Sequence, residues 1–143
     1  MATANAATNY LEEKLIKFIF DNNSGSFATP AANLYVGLAT AVSDAEAGSL
    51  TEATFTNYAR QQVNGTSGGW TISTSAGTVT AANAANVEFP ASGSSVTNQT
   101  ITHAFVADAS TSGNILFVGA LDASKTIGNL DIFRIHTGNL SIE

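Results

Sequence analysis

The sequence predicts a mainly β fold: an antiparallel β-sandwich or jelly-roll-like single domain that begins with one N-terminal α-helix. From Leu34 onward, short segments rich in β-branched and aromatic residues are separated by clusters of Gly, Ser and Asn, which is the pattern of many short antiparallel strands. Before that point, apolar residues recur at helical spacing between residues 9 and 22. A chain of 143 residues without cysteine can bury a core of its own without disulfides.

The first eight residues are predicted to be a flexible N-terminal arm, and residues 9–143 to form the single β-sandwich domain. The arm consists of Met, Ala, Thr and Asn, which bury too little area to offset the entropy lost on ordering. Asn9 and Glu12 have the spacing of a capping box. This spacing predicts that Asn9 caps a helix over about residues 9–22.

The apolar arc of this helix is wider than one packed sheet usually covers. Leu15 lies near the centre of the main apolar stripe and is predicted to face the core. Ile16 and Phe20 widen the arc well beyond that stripe. The remaining apolar face is expected to be covered either by a loop of the same chain or by a neighbouring subunit.

The strands are predicted from β-rich segments bounded by turn residues. They are expected near Leu34–Thr40, Asn57–Val63, Trp70–Ser73, Gly77–Thr80, Asn86–Phe89, Thr100–Asp108, Ile115–Leu121, Leu130–His136 and Leu140–Ile142.

The low charge of the chain indicates a building block that is packed among other subunits. Only 11% of the residues are charged, against about 25% in an average soluble domain. Thr, Ser, Asn, Ala and Gly supply the surface instead, and such a surface costs little to desolvate. A net charge of −6 argues against nucleic acid as a partner. The short apolar run between Leu15 and Phe20 predicts neither a signal peptide nor a membrane-spanning segment.

No residue pattern points to catalysis, to a metal or to another cofactor. The two histidines, His103 and His136, lack partners at the spacing of a metal site. The alternative for His103 is a general base oriented by Asp108, but no Gly–X–Ser–X–Gly elbow accompanies the pair. The chain is therefore predicted not to be an enzyme.

Two further residues are candidates for contacts between subunits. Trp70 is interpreted as a core or interface anchor, with stacking on a sugar ring as the alternative. Arg60 is expected to pair with an acid or to stack on an aromatic ring, with a contact between subunits as the alternative. The full set of predicted interface residues is Ala2, Thr3, Ala4, Asn5, Ile16, Phe20, Arg60 and Trp70.

Several segments, in a fixed order, carry a resemblance to a known family. They are Tyr10-Leu11-Glu12, Leu34-Tyr35-Val36-Gly37-Leu38, Asn57-Tyr58-Ala59-Arg60-Gln61, Val87-Glu88-Phe89-Pro90-Ala91, and the stretch from Gly113-Asn114-Ile115-Leu116 through Gly119-Ala120-Leu121 to Gly138-Asn139-Leu140-Ser141-Ile142. Over nearly its whole length the chain resembles a family of small structural proteins of tailed bacteriophages. These proteins are often labelled tail-fibre proteins and are similar to capsid cement or decoration proteins.

The resemblance implies a virion structural role without catalysis. The expected partners are other copies of the chain, as a dimer or trimer, and the major capsid protein or another virion protein. The expected location is the outer surface of the phage head, or the tail, after assembly in the host cytoplasm. Because no repeat or heptad suggests a fibre shaft, we predict a cement protein of the head. A tail-fibre or baseplate component is the first alternative, and a carbohydrate-binding module is the second.

Overall fold

A computed structural model of the protein describes residues 6–21, 32–65 and 68–143. The elements of these ranges are β1 (Ala6–Ala7), α1 (Asn9–Phe20), β2 (Asn33–Asp44), β3 (Ser49–Glu52), β4 (Gln61–Asn64), β5 (Trp70–Ser75), β6 (Thr78–Asn83), β7 (Val87–Glu88), β8 (Gln99–Ala107), β9 (Ile115–Ile127), β10 (Arg134–Ile135) and β11 (Ser141–Ile142). The predicted fold class, a mainly antiparallel β structure with one helix at its N-terminal end, is confirmed.

One large sheet carries the architecture. Its strand order is β1-β9-β8-β2-β3, and β4 adds to the first half of β2. Two smaller antiparallel sheets, β7–β10 and β5–β6–β11, complete the strands of the described ranges. Every pairing in the large sheet is antiparallel.

The main core lies between one face of the large sheet and the β7–β10 pair. Val36 pairs with Val106, and Leu38 pairs with Ala104, so these four side chains point to the same face. Val36, Leu38 and Ala104 belong to a buried cluster that also contains Val87 of β7 and Ile135 of β10. The fold is therefore sandwich-like, with the small sheets as the second layer.

A smaller core lies on the opposite face of the large sheet. Ala39, Phe105 and Val118 form its centre. The Phe105 ring covers Gly37 so closely that a Cβ atom at Gly37 would clash with it. Glycine is required at position 37 because the ring occupies the space that any side chain would need.

The start of the chain differs from the prediction in two respects. Ala6 and Ala7 pair with Val118 and Phe117 of β9, so the part of the predicted arm next to the helix is a strand of the large sheet. The helix cap is Thr8, whose hydroxyl accepts from the backbone N–H of Leu11, and not Asn9. Thr8 is almost fully buried. It lies between β1 and α1, where the chain leaves the sheet and the helix begins.

The strand predictions are confirmed in position, but their lengths differ. The edge strand β3 was not predicted, because Ser49–Glu52 is short and half polar. β9 continues to Ile127 instead of ending at Leu121, since its polar second half still pairs with Gln99–Ile101 of β8. β4 and β10 are shorter than predicted. Asn57 and Leu130, the first residues of the two predicted strands, have a left-handed backbone, which does not fit a regular strand.

Candidate assembly surface

Helix α1 exposes nearly all of its large apolar side chains. Leu15, Ile16, Phe18, Ile19 and Phe20 are each more than half exposed, and Phe20 reaches 78%. No residue of the helix is buried. The expectation that Leu15 faces the core is therefore wrong, because the described part of the domain places no layer against the main stripe. These five side chains concentrate exposed apolar surface on one helix, and such a concentration often marks an interaction site.

The N-terminus of α1 is hydrogen-bonded to the rest of the domain, although the apolar side chains of the helix are exposed. The Thr8 hydroxyl donates to the carbonyl oxygen of Ile115 at 2.6 Å, and the Thr8 amide donates to that of Leu116 at 2.9 Å. The Asn9 amide donates to the carbonyl oxygen of Glu46 at 2.8 Å. The helix thus leaves the sheet from a defined point at the start of β9.

A second apolar feature is a cleft between the large sheet and the β5–β6–β11 sheet, which we call the Trp70 cleft. Its volume is about 350 Å³, at the lower end of the range of about 300–1,000 Å³ for ligand pockets. Its lining consists of Leu34, Gly65, Trp70, Ile72, Ala81, Val106, Phe117 and Ile142. None of these residues is charged, so the cleft is suited to an apolar occupant.

The indole nitrogen of Trp70 is buried and has no hydrogen-bond partner among the described residues. A buried donor without an acceptor costs about 1–3 kcal/mol. The neighbouring Ile72, on the same face of β5, is 64% exposed. Trp70 was predicted as an anchor, but Ile72 was not singled out, although its two-residue spacing from Trp70 places both on one face of a strand.

Arg60 and the Trp70 cleft lie on opposite faces of the large sheet. Its guanidinium donates to both carboxylate oxygens of Glu52 at 2.8 Å and to the carbonyl oxygens of Ala109 and Ser112. It also stacks over the Phe105 ring, 5.0 Å from the centroid. The predicted pairing of Arg60 with an acid and its stacking on an aromatic ring are both confirmed. Because its side chain is 6% exposed, little of it is left for a neighbouring subunit.

Tyr58 completes this cluster from the inside of the domain. Its hydroxyl donates to Glu52 Oε1 at 2.8 Å and accepts from the Leu38 amide at 3.0 Å. Burial would raise the pKa of Glu52, but the hydrogen bonds from Arg60 and Tyr58 outweigh it and lower that pKa. Burial also raises the pKa of Tyr58. These shifts arise from a partly buried network of structural hydrogen bonds.

His103, the histidine considered for catalysis, has no acidic hydrogen-bond partner among the described residues. His103 Nδ1 lies 2.8 Å from the Thr102 hydroxyl, and burial lowers the pKa of the ring. Asp108 instead accepts from the backbone and side-chain nitrogens of Asn114 at 2.7 Å, which closes the β8–β9 turn. Within residues 6–21, 32–65 and 68–143, no three acidic or histidine side chains are grouped to hold a metal ion.

The predicted interface residues therefore fall into separate places. Ile16 and Phe20 lie on α1, Trp70 lies in the cleft, and Arg60 lies across the sheet from Trp70. Ala2, Thr3, Ala4 and Asn5 lie outside the described residues. In the part of the chain that the structure describes, no helix has the length and apolar character needed to span a membrane.

Residues 6–143 match the family model described as "Podophage GP4 fiber I protein gp80". The match includes β1, α1 and every later strand. No curated protein matches the chain.

Proposed function

The chain belongs to the podophage GP4 fiber I protein gp80 family, and from this premise we propose that it is a subunit of a fibre on the phage tail. The family supports a structural component of the virion, and its description names a fibre. The proposal adds the location on the tail and an assembly role for helix α1. The subunit carries out no reaction and acts through contacts with other copies of itself and with the particle.

The observation that carries this proposal is the exposed apolar surface of α1. Five large apolar side chains, each more than half exposed, are held on a helix whose base is fixed by Thr8. An isolated domain gains nothing from this arrangement, because apolar surface is stabilising only when water is removed from it. In an assembled fibre, the same surface supplies the contact.

The second candidate is the cement protein of the head that the sequence analysis favoured. One observation supports it: the sequence shows no repeat or heptad of the kind that builds a fibre shaft. The name of the family favours the tail, which was the first alternative. The sugar-binding alternative is not supported by Trp70, because the cleft around it lacks the polar side chains that position a sugar.

Immunogold labelling of intact particles tests the location. We expect an antibody raised against this chain to place gold at the tail, with particles that lack the chain as the control. Gold on the head would support the cement role and contradict the fibre. If the lysate contains the protein but the particles purified from it carry no gold, both the fibre role and the cement role are contradicted.

Sedimentation velocity tests the role of α1. We expect the wild-type chain to associate, and Ile16→Asp and Phe20→Asp to sediment as folded monomers, because each places a charge in the buried contact. Ile132→Asp is the matched control, since Ile132 is also half exposed but lies outside the helix. A wild-type chain that stays monomeric at every concentration would contradict the proposal.

A further inference from the structure

We infer that the C-terminal turn of helix α1 of one copy inserts into the Trp70 cleft of a second copy. This inference rests on the proposed function, because it names the contact by which one fibre subunit holds the next. Ile16, Ile19 and Phe20 provide the inserted side chains. The receiving surface is the Trp70 cleft, with Ile72 at its exposed rim.

The chemistry of the two surfaces matches. The cleft presents apolar side chains and no charge, and the inserted face of the helix is apolar. Ile16, Ile19 and Phe20 lie at i, i+3 and i+4, so they share one side of the last turns of the helix. An apolar helix face laid into an apolar groove is a common mode of protein recognition.

The unpartnered indole N–H of Trp70 points to the end of a helix as the occupant. The last four carbonyl groups of a helix have no partner within it. In α1, the Lys17 carbonyl accepts from the Asp21 amide, and within residues 6–21 no backbone amide lies four positions beyond Phe18, Ile19 or Phe20 to donate to their carbonyls. The turn that brings the apolar side chains thus also brings acceptors for Trp70 Nε1.

Residues of the same chain offer few competing occupants. No residue of α1 lines the cleft of its own domain. In residues 1–5, 22–31 and 66–67, which lie outside the described ranges, Met1 and Phe27 are the large apolar residues. Ile16, Ile19 and Phe20 on one helix of a neighbouring copy offer the cleft more apolar surface than either of these alone.

Such a contact joins two different surfaces of identical chains. The pair then keeps one free cleft on the copy that supplies the helix and one free helix on the copy that supplies the cleft, so that further copies can add. Contacts of this kind generate closed rings or open chains. Either outcome is compatible with a repeating component of a virion.

Cysteine cross-linking tests the contact directly, because the chain has no cysteine of its own. Phe20→Cys and Ile72→Cys are made as two single variants, one with a mass tag, then mixed at a concentration at which the wild type associates and mildly oxidised. We expect a disulfide-linked pair that contains one copy of each variant. Leu130→Cys, equally exposed but outside the cleft, replaces Ile72→Cys as the control and should give no such pair with Phe20→Cys.

Other products would overturn the inference in recognisable ways. Cross-linking of Phe20→Cys with itself alone would show a symmetric helix pair, which leaves the fibre proposal intact. In a third variant that carries both Phe20→Cys and Ile72→Cys, a disulfide within one chain would show that the helix fills its own cleft. No association between any copies would contradict the fibre proposal as well.

The single tryptophan of the chain gives an independent readout. We expect Trp70 emission to shift to shorter wavelength as the wild-type chain associates, and to stay unchanged with concentration in Phe20→Asp. Trp70→Phe keeps an aromatic ring but lacks the N–H, and should weaken association about threefold to tenfold. Equal association of Trp70→Phe and wild type would show that the indole N–H gains no acceptor in the contact.

Discussion

Arg60 joins several separate parts of the domain. It connects Glu52 in β3 with Ala109 and Ser112 in the β8–β9 turn, and it covers Phe105 in β8. Arg60→Ala should lower the free energy of unfolding by about 3–5 kcal/mol, because Glu52 would keep a partly buried charge without its partner. Urea unfolding measures the loss.

Two further variants separate the shape of the Arg60 side chain from its charge. Arg60→Lys should recover only part of the loss, since one ammonium group cannot replace the forked contact with Glu52. Arg134→Ala is the matched control, because its pair with Glu88 is over 40% exposed on both sides and should contribute about 0–1 kcal/mol. A similar loss in both alanine variants would contradict the structural role of Arg60.

Glu52 makes part of the stability depend on pH. Its pKa is lower in the folded chain than in the unfolded chain, because the hydrogen bonds of Arg60 and Tyr58 outweigh its burial. Its contribution is therefore complete above the unfolded pKa of about 4.3, and is lost as the pH falls through the lower folded value. Urea unfolding between about pH 6 and pH 3 should show a smaller decline in Glu52→Gln than in wild type. Parallel declines would contradict this role of Glu52.

The stability of helix α1 depends on its N-cap residue, Thr8, more than on its apolar stripe. Thr8→Ala should lower the free energy of unfolding by about 1–2 kcal/mol, because it removes a helix cap and a buried hydrogen bond to Ile115. Leu15→Ala should cost clearly less than the usual 2–5 kcal/mol of a buried leucine, since Leu15 is 52% exposed. Chemical denaturation at a concentration low enough to keep the chain monomeric compares the two. A larger loss for Leu15→Ala would mean that the helix packs against its own domain.

The elements differ in how far the sequence could predict them. β8 has apolar residues on both faces and was placed within a residue at each end, because the second half of this central strand is covered on both faces. The second half of β9, Asp122–Thr126, has no apolar pattern, and it is a strand because β8 supplies the hydrogen-bonding edge. The helix was predicted from its spacing, but the exposure of Leu15 depends on which layers the rest of the chain forms. The Trp70 cleft likewise depends on how two sheets lie together, which local periodicity does not encode.

At the level of the whole molecule, low charge and a concentrated apolar surface point to the same mode of assembly. The chain carries a net charge of −6, so copies repel one another weakly at long range. Helix α1 itself holds two acidic and two basic residues, and it therefore adds no net charge to the contact. Association then depends on apolar burial, and its response to salt and to temperature should differ from that of an interface built on ion pairs.

Salt and cooling should therefore change self-association in opposite directions. Between about 0.1 M and 1 M salt the Debye length falls from about 10 Å to about 3 Å, which would weaken contacts made by surface ion pairs. Here association should stay the same or strengthen slightly, because screening reduces only the repulsion between acidic copies. Cooling should weaken it, since the hydrophobic contribution decreases at low temperature. Sedimentation velocity on the wild-type chain at both salt levels and at two temperatures measures both effects. Dissociation at about 1 M salt, together with stronger association in the cold, would show that charged and hydrogen-bonded groups hold the copies together and that the apolar side chains of α1 do not.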